Sequence, residues 1–591
     1  MKAHLQDLLA RALPALAAEV GQPVPAPETI QIDATKDPRH GDFASNLALI
    51  LAKPLGRPPR AVAEALLRHL PASPRVARAE IAGPGFLNFF LTAGAFQAVV
   101  SEVLDQGADY GHDRSGRRGR VLVEYVSANP TGPMHIGHGR GAAYGDSLAS
   151  LLAASGWQVH REYYINDAGR QVDILTVSVW LRYLEAGGVP LSFPGRGYPG
   201  EYIRTSAAQL RVRHGARFER PAALAALGSE PVLPEGADEA LKAAVKAAQE
   251  ARLDQLIELA RRELGEDYGS IQRAALDDQL AAIRATLDAL HVRYDRWYSE
   301  RELVASGFAR TAIERLRAAG HVYEQDGAQW LRTSAFGDEK DRVLFKADGS
   351  ATYFANDLAY HIDKLDRGYD LLIDVWGADH HGYIARVRGA IEMLTGRKDA
   401  LHVALMQFVT LASGRMGKRS GNFVTLQDLI DEVGADATRF YYLFRSHDQH
   451  LEFDLELARS QSNDNPVYYV QYAHARICSV FRQAAERGLV LRREGLESVL
   501  DRLAEAQDKT LLTQLQRYGE VVRAAAQQFA PHALAFYLRD LADALHSHYN
   551  AHKVLVDDPA LAQARLALYA ATRQVLANGL GLLGVAPMER L

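Results

Sequence analysis

Val121-Leu-Val-Glu-Tyr-Val126, followed by Ser127-Ala-Asn-Pro-Thr-Gly-Pro-Met134 and His135-Ile-Gly-His-Gly-Arg140, decides how the middle of this chain folds. The first six residues are a short, apolar, β-branched run of the kind that forms a buried strand, and a Pro/Gly loop ends it. A helix then reaches Leu152 and stops near Gly156; Val159–Ile165 is again strand-like, and Val172–Leu184 is helical up to Gly187-Gly188. Strand, loop, helix, strand is the grammar of a parallel, doubly wound sheet. A further strand of that type, Leu371–Trp376, leads through Gly377-Ala-Asp-His-His381 to a helix over Ile384–Leu394.

Working outward, residues 1–113 read as a small α/β unit: Leu5, Leu8, Leu9, Leu13 and Leu16 recur at helical spacing, a second helical run spans Ala44–Leu51, and Gly85–Leu91 is strand-like. Asp113-Arg-Ser-Gly-Arg-Arg-Gly-Arg120 has no apolar period and reads as a linker. It is either a solvated tether or a hinge whose Arg114, Arg117, Arg118 and Arg120 contact phosphates. From about residue 195 to 291 lies an insertion with Ala- and Leu-rich helices around Ala240–Leu264, and from about Ser460 onward nearly everything is helical. The expected division is 1–113, 114–459 and 460–591: a multidomain protein with a small α/β domain, a Rossmann-like α/β core and an all-α bundle. At 591 residues the chain has room for three or more domains.

The formal charge of −5 excludes global basicity, so any nucleic-acid surface must be local; over residues 460–591, 14 basic residues face 13 acidic ones. A single cysteine, Cys478, excludes an intrachain disulfide framework and a thiolate-cluster metal site. No apolar run approaches the ~20 residues of a membrane helix, and the start of the chain meets polar residues too early for a secretory signal. A cytoplasmic protein is expected.

His135 and His138 sit where the first strand gives way to the first helix, the place where doubly wound sheets bind nucleotides. Imidazoles three residues apart on that turn can donate hydrogen bonds to phosphate oxygens as charge builds in a pentacoordinate transition state. The bland alternative is that they only satisfy helix-end groups, or bind a metal, which would want further ligands that the local sequence does not offer. Gly137 lets a phosphate or base approach the backbone. Asp379, just past a strand, suits a carboxylate accepting from ribose hydroxyls. Metal readings of Asp379-His-His381 and of His548 with His552 lack further ligands. Gly195-Arg-Gly-Tyr-Pro-Gly200 matches the dinucleotide fingerprint only formally, since no strand precedes it and Pro199 breaks the helix start.

The segment Ser127–Arg140 resembles the signature of class I aminoacyl-tRNA synthetases, in the version of the arginyl-tRNA synthetase family. Tyr164-Ile-Asn-Asp-Ala-Gly-Arg-Gln171, Val375-Trp-Gly-Ala-Asp-His-His-Gly-Tyr383, Gln407-Phe-Val-Thr410, Asn465-Pro-Val-Tyr-Tyr-Val-Gln-Tyr-Ala-His-Ala-Arg476 and Gly41-Asp-Phe-Ala-Ser-Asn46 support it, so the likeness spans essentially the whole chain. The family's second signature, a Lys-Met-Ser-Lys-Ser loop, corresponds to Arg415-Met-Gly-Lys-Arg-Ser-Gly-Asn422. There Lys418 holds the second lysine's place, while Arg415, Gly417 and Arg419 depart from the pattern.

The resemblance implies ATP-dependent ligation of L-arginine to tRNA(Arg) through an arginyl-adenylate, with activation itself requiring tRNA, ATP carrying Mg²⁺ on its phosphates, no zinc, no membrane partner, and a monomer. His135, His138 and Lys418 are then the catalytic groups. Asn129, Pro130, Thr131, Gly132, Pro133, Met134, Ile136, Gly137, Gly139, Gly377, Asp379, His380, Arg415 and Met416 face ATP. Glu124 and Asp357 hold the guanidinium, with Tyr353 over the side chain and Ser127, Asn129 and Gln407 positioning the amino acid. The helical C-terminal part is the anticodon-binding bundle, in which Tyr468, Tyr469, Tyr472 and Arg476 offer stacking faces to RNA or, on the bland reading, pack as core. The rivals are a small-molecule nucleotidylyltransferase, a silent tRNA-binding homologue, and a class I synthetase for another amino acid. The paired acids Glu124 and Asp357 argue against the last, because carboxylates facing a neutral side chain would be left unpaired.

Overall fold

In the computed structural model every residue is described except 26–29, 36, 222–229, 235, 413–423 and 591, and the side chains of Ala3 and Pro38. The N-terminal unit packs helices Lys2–Val20, Leu47–Leu55 and Pro59–His69 on a four-stranded antiparallel sheet ordered Asp33–Ala34, Phe43–Ser45, Phe86–Leu91, Val76–Ala82. Its core is made by the leucines that recur along the first helix (Leu5, Leu9, Leu16) with Leu47, Leu51, Leu66 and Phe89. The next helix, Ala93–Gln106, belongs elsewhere: Phe96, Val99, Val100 and Val103 join the core shared by the sheet and the C-terminal bundle. Gln97 donates to the Leu503 carbonyl (3.0 Å) and the Tyr110 hydroxyl to that of Leu515 (3.0 Å). The change of core thus falls near Leu91, ahead of the Arg/Gly-rich stretch that reads as a linker.

The central sheet has five parallel strands: β1 (Arg120–Glu124), β2 (Gln158–Ile165), β3 (Arg296–Ser299), β4 (Leu371–Gly377) and β5 (Leu401–Met406), ordered 5-4-1-2-3. Val121, Leu122 and Val123 are fully buried, which is why this strand reads as a continuous apolar run rather than an alternation. Burying each such side chain contributes about 1.5–3 kcal/mol. Three helices matter for the site: α1 (Ile136–Ala154) after β1, α2 (Glu300–Ala305) after β3, and α3 (Tyr353–Asp366) before β4. Strand order reverses between β1 and β4, and that switch point opens a crevice beyond their carboxyl ends.

Helices Glu201–His214, Glu239–Leu264 and Glu266–Ala289 form the insertion, packed through Ile203, Leu253, Leu256 and Ile271 against Trp180 and Leu184. No strand precedes Gly195–Gly200, as expected; Tyr202, just after it, donates its hydroxyl to the Thr131 carbonyl (2.9 Å) and so braces the signature loop. The bundle comprises Pro466–Glu486, Ala506–Gln527, Pro531–Ala551 and Pro559–Leu582. Within it His548 is buried between Asp508 (2.8 Å) and the Tyr569 hydroxyl (3.1 Å), while His552 meets Gln507 (3.2 Å). No helix among the described residues is long and apolar enough to cross a membrane.

Candidate functional site

The site begins at the N-terminus of α1, where both histidines cap the helix. His135 Nδ1 accepts the Gly137 N–H (3.1 Å), and His138 Nδ1 accepts the His135 N–H (3.3 Å). The rings stack with centroids 3.6 Å apart. Burial lowers His135 below the ordinary imidazole range and, with His135 beside it, pushes His138 down to about 3. Both rings are therefore neutral at neutral pH. Because each Nδ1 accepts, each proton sits on Nε2, which makes Nε2–H the donor left for a ligand. Helix capping and phosphate recognition, which look like rival readings in the sequence, are compatible in the fold. Gly137 has a second reason to be glycine: a Cβ there would lie 3.0 Å from the His135 ring.

Between β1 and α1 the chain is strained. Val126 (φ 69°) and Ser127 (φ 42°) both occupy the left-handed region, a genuine outlier for a β-branched residue. What holds them is a chain of hydrogen bonds. Ser127 Oγ donates to Glu124 Oε1 (2.8 Å) and accepts the Tyr164 N–H (3.1 Å), while Tyr163 donates to the Ala128 carbonyl (2.9 Å).

Three acids, Glu162, Glu124 and Asp374, stand in register across β2, β1 and β4, all buried. α3 and the residue that caps its C-terminus, Arg367, supply their counter-charges. Lys364 Nζ donates to Glu124 Oε2 (2.6 Å) and Asp374 Oδ1 (2.8 Å), and His361 Nε2 lies 2.7 Å from Asp374 Oδ2. Arg367 forks onto Glu162 at 2.5 and 2.8 Å, and the Tyr360 hydroxyl adds a third bond at 2.8 Å. Burial alone would raise Asp374; Lys364 and His361 overcome it and hold the carboxyl well below the usual range. Glu124, expected from the sequence to meet the guanidinium, thus already has an internal cation and a hydroxyl donor.

A second acidic pair has no such counter-charge among the described residues. Glu300, the first residue of α2, is 7% exposed, and its pKa is raised to about 7 by burial first and then by Asp357 and Asp167, with the Tyr164 hydroxyl offsetting part of the rise. Asp357 on α3 accepts from the Tyr383 hydroxyl (2.5 Å) and is likewise raised by burial. Tyr164 lies among all three carboxylates: burial raises its hydroxyl, and Glu300, Asp357 and Glu124 add to the rise. Asp167 is committed otherwise, pinning the start of α2 through Ser299 (2.7 Å) and the Arg301 N–H (2.9 Å). Sequence reasoning missed Glu300 and Tyr164. The usable signal was an acid directly after a strand-like Trp297-Tyr-Ser299, at the same carboxyl edge as the signature.

Tyr353 opens α3 and is 79% exposed, free to fold over a ligand. Gln407 follows β5, its N–H bonded to the His447 carbonyl (3.0 Å) and its own carbonyl accepting from Arg140 (3.0 Å). Asn129 and Pro133 are exposed on the loop; Gly139 is enclosed, since a Cβ there would meet Leu426 at 2.4 Å. Gly377 ends β4, and Asp379 and His380 are exposed beside it, 3.6 Å apart. Arg415, Met416 and Lys418 lie outside the described residues. Their flanks return to the signature: Val409–Leu411 pairs with Leu451–Phe453, Thr425 bridges to His135, and the Leu426 N–H bonds the Met134 carbonyl (2.8 Å).

In the bundle, Tyr468 and Tyr472 stack (5.9 Å), Arg476 covers Tyr472 and Tyr549 (4.5 Å each), and Tyr469 donates to Asp543 (2.6 Å), giving a half-buried aromatic and cationic platform. 

Residues 3–91 match the arginyl tRNA synthetase N terminal domain, 99–186 and 265–445 the tRNA synthetases class I (R) catalytic domain, and 470–591 the DALR anticodon binding domain. The gap in the catalytic match, 187–264, falls on the helical insertion. The chain is 51% identical over 595 residues to an arginine–tRNA ligase of Thioalkalivibrio sulfidiphilus, covering 100% of both chains. It is 52% identical over 592 residues to one of Halorhodospira halophila, covering 99% of each. The solved Thermus thermophilus arginyl-tRNA synthetase superposes with a TM-score of 0.74 at 25% identity, covering 100% of both chains. The chain belongs to the arginyl-tRNA synthetase family of class I aminoacyl-tRNA synthetases.

Proposed function

We propose that Glu300 and Asp357 hold the substrate guanidinium, and that His135, His138 and Lys418 stabilise the phosphate charge of activation. The chain is an arginine–tRNA ligase, which uses ATP to join arginine to tRNA(Arg) in translation. One observation carries the division of roles: among the described residues Glu300, buried, and Asp357, half-buried, make no ion pair with a cation, while Glu124 has Lys364. Unpaired buried carboxylates are costly, and a planar, always-charged guanidinium is the group that relieves two of them at once.

In the first step an arginine carboxylate oxygen attacks the α-phosphorus of ATP and the bond to the β-phosphate oxygen breaks, releasing pyrophosphate. The Nε2–H donors of His135 and His138 meet the phosphate oxygens where charge grows, and Lys418 faces the departing pyrophosphate. In the second step a hydroxyl of the tRNA's terminal ribose attacks the arginyl carbonyl and AMP leaves. Glu124 and Ser127 shape the floor, Asn129 and Gln407 position the amino acid, and Tyr353 closes over it. The stretch Asn129–Gly139, Gly377, Asp379, His380, Arg415 and Met416 line the ATP side, with Mg²⁺ carried on the phosphates rather than in a protein cage.

Tyr468, Tyr472 and Arg476 serve the tRNA, with the bundle from about 460 reading the anticodon and residues 1–113 contacting the tRNA elsewhere. The enzyme works as a cytoplasmic monomer. ATP–pyrophosphate exchange across the standard amino acids, with and without tRNA, tests the substrate: arginine alone should support exchange, and only when tRNA is added. Exchange with another amino acid would overturn the pocket, and none at all would overturn the assigned chemistry.

A further inference from the structure

At the opposite end of the central sheet from the catalytic crevice lies a cleft of about 1,070 Å³, walled by the amino ends of β4 and β5, the stretch before β1, and Phe529 of the bundle. A strand of seven residues such as β4 separates the two places by about 20 Å. The cleft gathers the arginines whose role the sequence leaves open. Arg114 pairs with Asp109 (2.5 Å), and Arg120 donates to the Arg367 and Gly368 carbonyls (2.7 and 3.2 Å), so both are committed. Arg117 and Arg118 line the cleft, are exposed, and make no side-chain hydrogen bond or ion pair among the described residues.

Three more cations face them from the helix Ile384–Thr395 and the turn after it: Arg388, Arg397 and Lys398. Against these five stand Asp370, Glu392 and Asp399. Asp370 is occupied by the Arg120 N–H (2.8 Å), Arg397 pairs with Asp399 (3.2 Å), Arg388 Nε donates to the Leu401 carbonyl (3.4 Å) with the rest of its guanidinium exposed, and the Lys398–Glu392 contact is loose at 3.9 Å. His402, also in the wall, adds no charge at neutral pH: burial, then Arg388 and His447, push it down to about 4. Its ring stacks on Phe529 at 4.0 Å, and Trp157 borders the same space. In a chain of net charge −5, a cleft with five cations to three acids, two of its arginines without a side-chain partner among the described residues, and an aromatic border suits a phosphate-rich ligand that carries a flat ring.

We propose that this cleft is a second nucleotide site that binds a nucleoside polyphosphate, with Arg117, Arg118 and Arg388 on its phosphates and the aromatic border against its base. The bound ligand ties the 113–119 stretch to the sheet and touches the bundle through Phe529.

Titrating GTP into the full-length chain while following tryptophan emission tests this, with W157F assigning the signal. A saturable change that is lost in W157F is expected. R118A/R388A should weaken GTP binding by about tenfold or more, because charge-assisted phosphate contacts are lost. ATP–pyrophosphate exchange with arginine should stay within about twofold of the parent, because both residues lie a full strand length from His135 and His138. R117A/R118A, which alters only an exposed stretch, provides a second variant if the first melts early. Unchanged GTP affinity in both variants would place the nucleotide elsewhere and overturn the proposal. So would the absence of saturable binding up to about 10 mM, a weaker affinity than such contacts give. Inorganic tripolyphosphate binding as tightly as GTP would overturn the nucleoside part, leaving a site for phosphates alone.

Discussion

Two buried acidic clusters meet at the carboxyl end of the central sheet, and they are built on opposite principles. In the first, Glu162, Glu124 and Asp374 are matched by Arg367, Lys364 and His361, all within hydrogen-bond distance. In the second, Glu300 and Asp357 lie close to one another and to Tyr164, Asp357 accepts from the Tyr383 hydroxyl, and neither makes an ion pair among the described residues. The matched cluster fastens α3 to three strands; the unmatched one is, on our proposal, completed by the guanidinium of the substrate. A carboxylate beside a ligand crevice is therefore a weak clue to binding until its internal partners are counted.

Removing a cation from the matched cluster should do the greatest damage. Lys364→Met leaves Glu124 and Asp374 buried without their shared ammonium, and breaking a buried pair in this way costs about 3–5 kcal/mol. Denaturant unfolding should show that loss, together with a collapse of all activity as Ser127 loses its anchor. A stability change under about 1 kcal/mol would mean that the cluster is not fastening the fold.

The unmatched pair should answer with the opposite sign. Glu300→Gln or Asp357→Asn removes an acid that has no ion pair among the described residues, so the free protein should keep or slightly gain stability. Losing the link to a buried guanidinium should cut kcat/KM for arginine by about 10²–10³-fold, with KM for ATP within about threefold. Equal losses for arginine and ATP would erase the distinction between the clusters. Glu124→Gln sharpens it further: the Gln carbonyl can still accept from Lys364 and its NH2 can donate to Ser127 Oγ, so arginine use should fall less than in Glu300→Gln.

The parts of this picture that were legible in the sequence are those fixed locally. The run Val121–Val126, the Pro/Gly loop and His135-Ile-Gly-His138 specify strand, turn and helix start by period and capping; with Val159–Ile165 and Leu371–Trp376 they give the three inner strands of the parallel sheet, while the edge strands Arg296–Ser299 and Leu401–Met406 did not stand out. What escaped is non-local. Glu300 reads as an ordinary first-turn acid; its burial arises only because β3 returns to the sheet edge after a long insertion. Lys364 reads as a surface lysine on an amphipathic helix, yet its partner Glu124 lies 240 residues earlier. The helix Ala93–Gln106 has an apolar face that suits any core, and no local feature says that its partners are some 400 residues downstream. Charge pairing and core membership are properties of the assembled fold; secondary structure and capping are not.

The histidine pair connects the two principles, because each ring spends Nδ1 on the fold and leaves Nε2–H for chemistry. His135→Asn separates these roles. Asn is a strong N-cap, so thermal stability should hardly move, while the Nε2–H donor is lost. We expect kcat for pyrophosphate exchange to fall by about 10²-fold with KM values little changed, the size typical of one donor lost at a developing oxyanion. A loss of stability without a fall in kcat would return His135 to a purely structural role.

The mildest test is pH. Glu300 has a folded pKa of about 7 against an ordinary value of 4.5. Between those values the folded chain holds a proton that the unfolded chain has released, so Glu300's contribution to stability is present at low pH and is lost as pH rises through about 7. Arginine binding runs the other way, since a guanidinium requires the ionised carboxylate and must expel that proton. KM for arginine should therefore rise by up to about tenfold per unit as pH falls below 7, level off above it, and lose this dependence in Glu300→Gln. The matched cluster predicts no such behaviour: Asp374 is held ionised far below this range by Lys364 and His361, and Glu162 is held down to about 2 by Arg367 and His160 against its burial. A flat arginine KM from pH 6 to 8 would place a cation or a neutralised acid at Glu300 already, and the contrast between the two clusters would fail at its most sensitive point.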